Sequence, residues 1–292
     1  MKLPAFDYRA PATLAEALAL LAENTGEARA LAGGQSLLPM MAFRLAEPRM
    51  LVDLQGIEGL NIITIADDGL RIGAKVRWCD ILRDAHLCSA HPLLLEAVTH
   101  IAHGAIRNRG TVGGSLAQAD PASELGCVAV ACDAQIVATS VRGLRVIEAR
   151  DFFLGPMSTA LAPDELIIEL SLPAWSAGTR WAFEEFAVQR GGFALAGVAL
   201  MLREADGELC DVRDVPDVRV GVMGATTHPR RISALESAFD RHKISIKSIS
   251  YDISAIIADI EIMSDTETPA DYRRALLATL IDRALCSAAS RA

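Results

Sequence analysis

The sequence lacks any long run of apolar residues. Hydrophobic residues make up 51% of the chain, yet no stretch approaches the ~18 consecutive apolar residues expected of a membrane-spanning helix. The first residues, MKLPAFDYRAP, also lack the apolar segment of a secretory signal peptide. The sequence therefore predicts a soluble cytoplasmic protein with no membrane span.

An excess of positive charge is also missing. The 28 Lys and Arg residues are outnumbered by 37 Asp and Glu residues, which gives a net charge of −9. No cluster of basic residues alternates with aromatic residues, and this argues against a nucleic-acid partner and against an anionic membrane surface. A bound phosphate group is therefore expected to be held locally, by backbone N–H groups.

The cysteines lack the dense pairing of a secreted disulfide scaffold. Cys127 and Cys132 have the C-x4-C spacing that begins a plant-type iron–sulfur site, but the third ligand position is occupied by Gln135. The sequence thus predicts reduced, mostly buried thiols and no cluster in this chain. The six cysteines are Cys79, Cys88, Cys127, Cys132, Cys210 and Cys286.

Common catalytic and nucleotide-binding signatures are absent too. The chain has no G-x-G-x-x-G, no G-x4-G-K-[ST] and no G-x-S-x-G motif. His100 and His103 lie one helical turn apart, and a surface or packing role is favoured over a metal site. The sequence therefore predicts no catalytic residue and no metal ligand.

The first half of the chain alternates helical and extended patterns. Thr13 and Glu16 form a capping box, and the leucines that follow predict a helix over residues 14–24. Short apolar runs at 28–32 and 50–54 predict buried strands. The remaining pattern predicts hairpins with turns at 67–69 and 142–143, helices within 79–87, 92–102 and 124–132, and a strand over 164–173.

The segment PAWSAGTR, residues 173–180, interrupts both patterns with Pro, Ser and Gly. It predicts a first domain over residues 1–174, with subdomains of about 1–55 and 56–174, and a C-terminal domain over 175–292. The C-terminal domain is predicted to contain three strands, a turn at Asp206–Gly207, and helices over 233–243, around 250–260 and from 268.

Two glycine pairs are the most informative feature. They stand in LAGGQSLL, residues 31–38, and in TVGGSLAQAD, residues 111–120. Glycine allows φ > 0 and removes Cβ, so successive N–H groups can point into one concavity and bind an anion. Two tight turns and a clamp for the two phosphates of a dinucleotide both fit this pattern. Under the clamp hypothesis, Gly34→Val or Gly114→Val abolishes dinucleotide retention.

At these loops the sequence resembles the FAD-binding subunits of molybdenum hydroxylases. That family includes the medium subunit of aerobic carbon monoxide dehydrogenase and the FAD domain of xanthine dehydrogenase. The resemblance spans essentially the whole chain, in the order PAFDYRAPATLAEAL, AGGQSLLPMM, IRNRGTVGGSLAQADPASEL and ARDFFLGPMSTALAPDELI. It implies an α+β fold. A small α/β subdomain and an α+β subdomain with an antiparallel sheet form the FAD-binding domain, and a three-stranded antiparallel sheet with helices forms the C-terminal domain.

The resemblance implies that FAD lies between the first two subdomains, with its pyrophosphate between the two loops. Ile101, Ala102 and Leu161 match positions that contact the flavin, and Phe193 falls where relatives often place an aromatic ring beside it. An acidic segment reaches the sugar and adenosine. The implied cofactor-binding residues are Ala32, Gly33, Gly34, Gln35, Ser36, Leu37, Ile101, Ala102, Thr111, Val112, Gly113, Gly114, Ser115, Asp120, Glu124, Leu161 and Phe193.

Three positions depart from the family pattern. Many relatives carry Asn or Asp at Ser115, Lys at Glu185 and Asp at Gly192. Backbone contacts tolerate such changes better than side-chain contacts do. FAD binding is therefore expected to survive, whereas the flavin potential depends on charges near the ring.

The implied function is electron transfer in an oxidoreductase. In this family the substrate is oxidised at a molybdenum cofactor in a large subunit. Electrons then pass through two [2Fe-2S] centres of a small subunit to FAD, and from there to an external acceptor. A dimer of heterotrimers is expected. The alternatives are a self-sufficient flavin oxidase of the vanillyl-alcohol-oxidase type, which would need a base or a covalent link near the flavin, and a flavin-free assembly protein.

Overall fold

The computed structural model of the chain describes residues 2–203, 217–242 and 253–291. The predicted turn at Asp206–Gly207 lies outside the described residues, and so do Cys210 and positions 250–252 of the predicted helix around 250–260. Within the described ranges, no helix combines the length and the apolar character needed to cross a membrane.

The N-terminal subdomain is a three-stranded parallel sheet of order β1-β3-β2. The predicted capping box is present, since the Thr13 side chain accepts a hydrogen bond from the N–H of Glu16 at 3.2 Å. The first strand was not predicted, because its three exposed residues carry no apolar pattern. The elements are β1 (Asp7–Arg9), α1 (Leu14–Glu23), β2 (Ala28–Leu31), α2 (Leu37–Ala42) and β3 (Met50–Asp53).

The second subdomain contains a five-stranded antiparallel sheet of order β4-β5-β10-β6-β7. Both predicted hairpins are confirmed, as β4–β5 and β6–β7. The strands are β4 (Ile63–Ala66), β5 (Gly69–Gly73), β6 (Gln135–Ser140), β7 (Gly143–Glu148) and β10 (Leu166–Pro173), with a small pair β8 (Phe153–Gly155) and β9 (Ser158–Thr159).

Seven short helices belong to this subdomain. The predicted helix at 79–87 is wrong in extent, because the chain turns extended at Asp84, whose carboxylate accepts the N–H of His86 at 2.9 Å. The helices are α3 (Trp78–Arg83), α4 (Leu87–Ala90), α5 (Pro92–His100), α6 (Gly104–Arg107), α7 (Val112–Gln118), α8 (Glu124–Ala131) and α9 (Ala149–Phe152).

The C-terminal part has an antiparallel sheet of order β11-β12-β13-β14. The three predicted strands are confirmed, and a two-residue edge strand adds a fourth. Successive side chains of β11 alternate between two faces. The elements are β11 (Arg180–Ala187), β12 (Ala194–Arg203), β13 (Asp217–Met223), β14 (Arg230–Arg231), α10 (Ser233–His242), α11 (Ile253–Ile256) and α12 (Ala270–Ser290).

Helix α8 lies at the centre of the largest core. Every residue from Leu125 to Ala131 is buried, and the cluster it belongs to includes Phe183, Ala199 and Met223 from the C-terminal sheet. At Gly221 on β13, an added Cβ would lie 2.5 Å from the carbonyl oxygen of Cys127. The second subdomain and the C-terminal sheet therefore share one core across the segment at 173–180.

The cysteines of the described residues are free thiols. Only Cys127 and Cys132 are buried, whereas Cys88 and Cys286 are exposed and Cys79 is half-buried. The prediction of mostly buried thiols is therefore wrong. Cys88 lies on the short helix α4 and Cys286 near the end of the 21-residue helix α12, where the neighbours Leu87 and Leu285 are buried instead.

Candidate functional site

The first glycine loop, residues 32–36, connects β2 to α2. Gly34 has φ +72, in the left-handed region that favours glycine. The backbone N–H groups of residues 33–37 donate to no acceptor in the part of the chain that the structure describes. Successive free N–H groups around a left-handed residue form an anion-binding concavity. This loop therefore has the geometry expected of a phosphate site.

The second glycine loop, residues 111–115, is the beginning of α7. The side chain of Thr111 caps this helix by accepting the N–H of Gly114 at 3.1 Å. The N–H groups of Val112 and Gly113 donate to the carbonyl oxygens of Val76 and Ala74, at 3.0 and 2.8 Å.

The backbone N–H groups of residues 112–115 are thus bonded within the protein. The expectation that both glycine pairs present free N–H groups to an anion is met only by the first. Gly113 is required for packing, since an added Cβ would lie 2.6 Å from the Cβ of Ala74.

The two loops nevertheless converge. An added Cβ at Gly33 would lie 2.1 Å from the carbonyl oxygen of Arg109, and one at Gly114 would lie 3.7 Å from the Cβ of Ala32. Between them opens a cavity of about 220 Å³. It is lined by Ala32, Gly33, Leu54, Gln55, Lys75, Arg77, Arg109 and Thr111.

Three cationic side chains line this cavity. Arg77 and Arg109 are exposed and form no ion pair within the described residues. The Lys75 ammonium donates to the carbonyl oxygen of Gln55 at 2.8 Å, and burial lowers its pKa. These cations were missed, because the sequence indicated that backbone N–H groups alone would hold a phosphate. Arg109, two residues before Thr111, was the available signal.

Ile101 and Ala102, which are predicted to contact the flavin, directly follow α5. Ala102 has φ +42, which is uncommon for a residue with a side chain. The guanidinium of Arg107 holds this turn by donating to the carbonyl oxygens of Ile101 and Ala102, at 2.7 and 2.9 Å. Gly191 fits against it, because an added Cβ there would lie 2.6 Å from the carbonyl oxygen of Ala102.

Phe193 and Leu161 differ in their surroundings. Phe193 is 79% exposed and follows two glycines, of which Gly191 has φ +75. Leu161 is half-buried and packs against the main core. Gly192 donates its N–H to the carbonyl oxygen of Gln189 at 2.9 Å, which closes a tight turn before Phe193. The exposed ring of Phe193 is thus carried on a short glycine turn.

The acidic segment lies at the turn from α7 to α8. The hydroxyls of Ser115 and Ser123 are 3.3 Å apart, so Ser115 contacts the residue that caps α8. Burial raises the pKa of Asp120, and it raises the pKa of Glu124 to about 8. Glu185, on β11, has its pKa raised by burial to about 7.

The predicted residues therefore form two groups. Loop residues Ala32, Gly33 and Thr111 line one cationic cavity, whereas Ser115, Asp120 and Glu124 lie together at the α7–α8 turn. The free N–H groups and three cations suit the two negative charges of a pyrophosphate. The donor set at the cavity thus fits the phosphates of a dinucleotide.

The similarity to known proteins is extensive. A family model for the FAD binding domain in molybdopterin dehydrogenase matches residues 4–175. The nicotine 6-hydroxylase medium subunit of Paenarthrobacter nicotinovorans is 38% identical over 291 residues, covering 100% of both chains. The caffeine dehydrogenase subunit beta of Pseudomonas sp. (strain CBB1) is 36% identical over 293 residues, covering 100% of this chain and 97% of the relative.

A solved structure agrees with these sequence matches. The fold superimposes on a chain of carbon monoxide dehydrogenase from Hydrogenophaga pseudoflava, in a form that lacks the Mo-pyranopterin moiety of the molybdenum cofactor, with a TM-score of 0.93. The identity is 34%, over 100% of this chain and 99% of that chain.

Proposed function

Because the chain belongs to the family of FAD-binding domains in molybdopterin dehydrogenases, we propose that it is the subunit through which electrons leave such an oxidoreductase. In this proposal, FAD bound by this chain receives electrons from [2Fe-2S] centres of a partner subunit and passes them to an external acceptor. The carrying observation is the cavity between the two glycine loops, which Gly33 and Thr111 line together with three cationic side chains.

The chain's own residues would hold the cofactor by its phosphates. The free N–H groups of residues 33–37 would bind phosphate oxygens, and Arg77 and Arg109 would neutralise their charge. The tight approach of Gly33 to Arg109 fixes the distance between the two walls of the cavity. Ile101 and Ala102 would support the flavin ring. A bound flavin supplies the ability to accept electrons singly and to deliver one or two.

The molybdenum cofactor and the [2Fe-2S] clusters belong to other subunits in this proposal. The relatives are named as a medium subunit and a subunit beta, which supports an assembly with a molybdenum-binding large subunit and a [2Fe-2S] small subunit. We propose a dimer of such heterotrimers. Sedimentation of the co-expressed complex tests this stoichiometry, and a single heterotrimer at all concentrations would contradict it. The cytoplasmic location stays a prediction from the sequence.

The decisive experiment is the flavin content of the complex. The chain is co-expressed with the products of its neighbouring genes, purified and denatured, and the released cofactor is identified. We expect one FAD per copy of this chain. A preparation that releases no FAD would contradict the proposed function and favour the flavin-free assembly protein.

The names of the relatives suggest which substrates to assay first. Nicotine and caffeine are both nitrogen heterocycles, and each gives its name to one of the relatives above. We propose that the complex oxidises a substrate of this class at its large subunit. Reduction of the bound flavin by a heterocycle and not by carbon monoxide supports this, and the reverse preference refutes it.

A further inference from the structure

Two methionine sulfurs contact one side-chain amide where the first two subdomains meet. The Nε2 atom of Gln118 lies 3.1 Å from the Sδ atom of Met157 and 3.4 Å from the Sδ atom of Met40. A thioether sulfur accepts hydrogen bonds and donates none, so the nitrogen of the amide is the atom that faces both sulfurs. Each sulfur therefore accepts one of the two amide hydrogens.

The three side chains come from three separate segments of the chain. Met40 lies on α2 of the N-terminal subdomain, and Gln118 is the last residue of α7. Met157 lies in the turn between β8 and β9. Because α2 and α7 each follow one of the glycine loops, the amide links the two helices on which the walls of the cavity continue.

Met157 is held in an unfavourable backbone conformation. Its φ of +53 lies in the left-handed region, which a residue with a side chain rarely adopts. The backbone N–H of Met157 donates to the carbonyl oxygen of Ala119 at 3.0 Å, and Ala119 is also left-handed, with φ +49. Strained residues of this kind cluster at functional sites. The strain and the contact with Gln118 thus both point to the Met157 side chain.

The Met157 sulfur is the more accessible of the two. This residue is 50% exposed, whereas Met40 is half-buried and Met41, Met201 and Met223 are buried. Methionine is readily oxidised to its sulfoxide, and an oxidant dissolved in water reaches an exposed sulfur before a buried one. Oxidation should therefore begin at Met157.

We propose that Met157 is a reversible oxidation site at which Gln118 selects the stereochemistry of the sulfoxide. A thioether sulfur has two lone pairs, and oxidation at one or the other gives opposite sulfoxide epimers. The amide hydrogen of Gln118 occupies one lone pair of the Met157 sulfur, so the oxidant reaches the other. One epimer therefore predominates. The site requires no bound flavin and is independent of the proposed function.

The oxidant is hydrogen peroxide. The free lone pair of the Met157 sulfur attacks one peroxide oxygen, the S–O bond forms as the O–O bond breaks, and the second oxygen leaves as hydroxide. The hydroxide takes the proton from the oxygen now bound to sulfur, which gives one sulfoxide and one water. The sulfur loses two electrons and the peroxide gains them. Two classes of methionine sulfoxide reductase reverse the reaction, each acting on one epimer.

The test treats the co-expressed complex with a limiting amount of hydrogen peroxide and follows the tryptic peptides by mass spectrometry. Met157 is the one methionine of residues 151–180. Its peptide should gain about 16 Da, one oxygen, before the peptide that contains the half-buried Met50. The oxidised peptides are then incubated with each class of reductase. One class should remove nearly all of the oxygen from Met157, and the other almost none.

A pair of variants isolates the amide. Gln118→Leu removes both hydrogens with little change in size, so Met157 should still be oxidised first but should give similar amounts of the two epimers. Gln135→Leu makes the same change on β6, where the amide donates to Glu148 at 2.9 Å, and should keep the single epimer.

The wild type alone can overturn the inference, even where Gln118→Leu fails to fold. Equal amounts of the two epimers at Met157 would do so, and so would oxidation of Met50 ahead of Met157. An unchanged single epimer in Gln118→Leu would overturn the role of the amide. The FAD content of the complex is measured separately, so none of these results decides the proposed function.

Discussion

In the first glycine loop, the N–H groups of residues 33–37 have no acceptor among the described residues, and Gly34 has φ +72. In the second loop, the glycines are helical and their N–H groups are bonded to Ala74 and Thr111. The two loops look alike in sequence, but the first uses glycine to shape a surface and the second uses it to pack a helix closely. Two motifs with similar sequences therefore differ in whether their backbone N–H groups are available to a ligand.

Among the variants of the two loops, Gly33→Ala should have the largest effect, on the free energy of unfolding. An added Cβ would lie 2.1 Å from the backbone oxygen of Arg109, so the loops must separate. Because backbone cannot yield as a side chain does, we expect a loss of about 3 kcal/mol or more in the free energy of unfolding. Urea denaturation measures it. Gly104→Ala, where an added Cβ meets nothing within 4 Å, is the control, and equal stability of the two variants would contradict the close approach.

The second-largest effect should be the loss of FAD retention in Gly34→Val and in Gly114→Val. A branched residue at φ +72 costs about 1–2 kcal/mol and reorients the free N–H groups. At Gly114 an added Cβ would lie 2.8 Å from the Thr111 hydroxyl and would break the helix cap. In both cases the added atom faces the protein rather than a phosphate. Flavin absorbance per protein reports retention, and normal flavin content in both variants would mean that the loops are only turns.

A smaller effect is expected from Arg109→Met. Removing one unpaired cation from the cavity should weaken FAD binding about tenfold, because it removes one charge-assisted contact to a phosphate. Titration of the flavin-free protein with FAD measures the dissociation constant. Arg83→Met removes an exposed cation that does not line the cavity, and it should bind FAD normally. Equal affinities for the two variants would remove Arg109 from the site.

The smallest effect should follow from Thr111→Val. This change removes the side-chain oxygen that caps α7, at a cost of about 1 kcal/mol in stability. Thr111→Ser keeps the cap and should be close to the wild type. Thermal unfolding compares them, and a valine variant as stable as the serine variant would show that the cap contributes little to the second loop.

Much of the fold was predictable from local signals. The capping box at Thr13, the hairpin turns and the last helix each follow from a few adjacent residues, and these predictions are confirmed. Strand β1 was missed because its pairing depends on residues 50–52, more than forty positions away.

The sequence predicted which loops come together, but it did not predict the charged side chains beside them. The two loops do line one cavity, but Lys75 and Arg109 meet there only through tertiary packing and share no sequence pattern. The second glycine pair was expected in a loop, either as a tight turn or as part of a phosphate clamp, whereas both glycines lie in α7. Glycine is a weak helix former. Packing against Ala74 overrides that preference, since a larger residue would not fit. Glu185 stood out as a departure from relatives, but its burial beside His100 of α5 depends on tertiary packing.

The core around α8 has a consequence for handling the protein. Residues 176–178 are exposed, which makes them a favoured site for cleavage by a protease. The neighbouring Trp175 packs against the buried ring of His91 in a tilted arrangement, with 4.8 Å between the ring centroids. A chain nicked there would give two bands on a denaturing gel. Under native conditions the fragments would migrate as a single particle and melt in one transition, because both contribute residues to the same apolar interior.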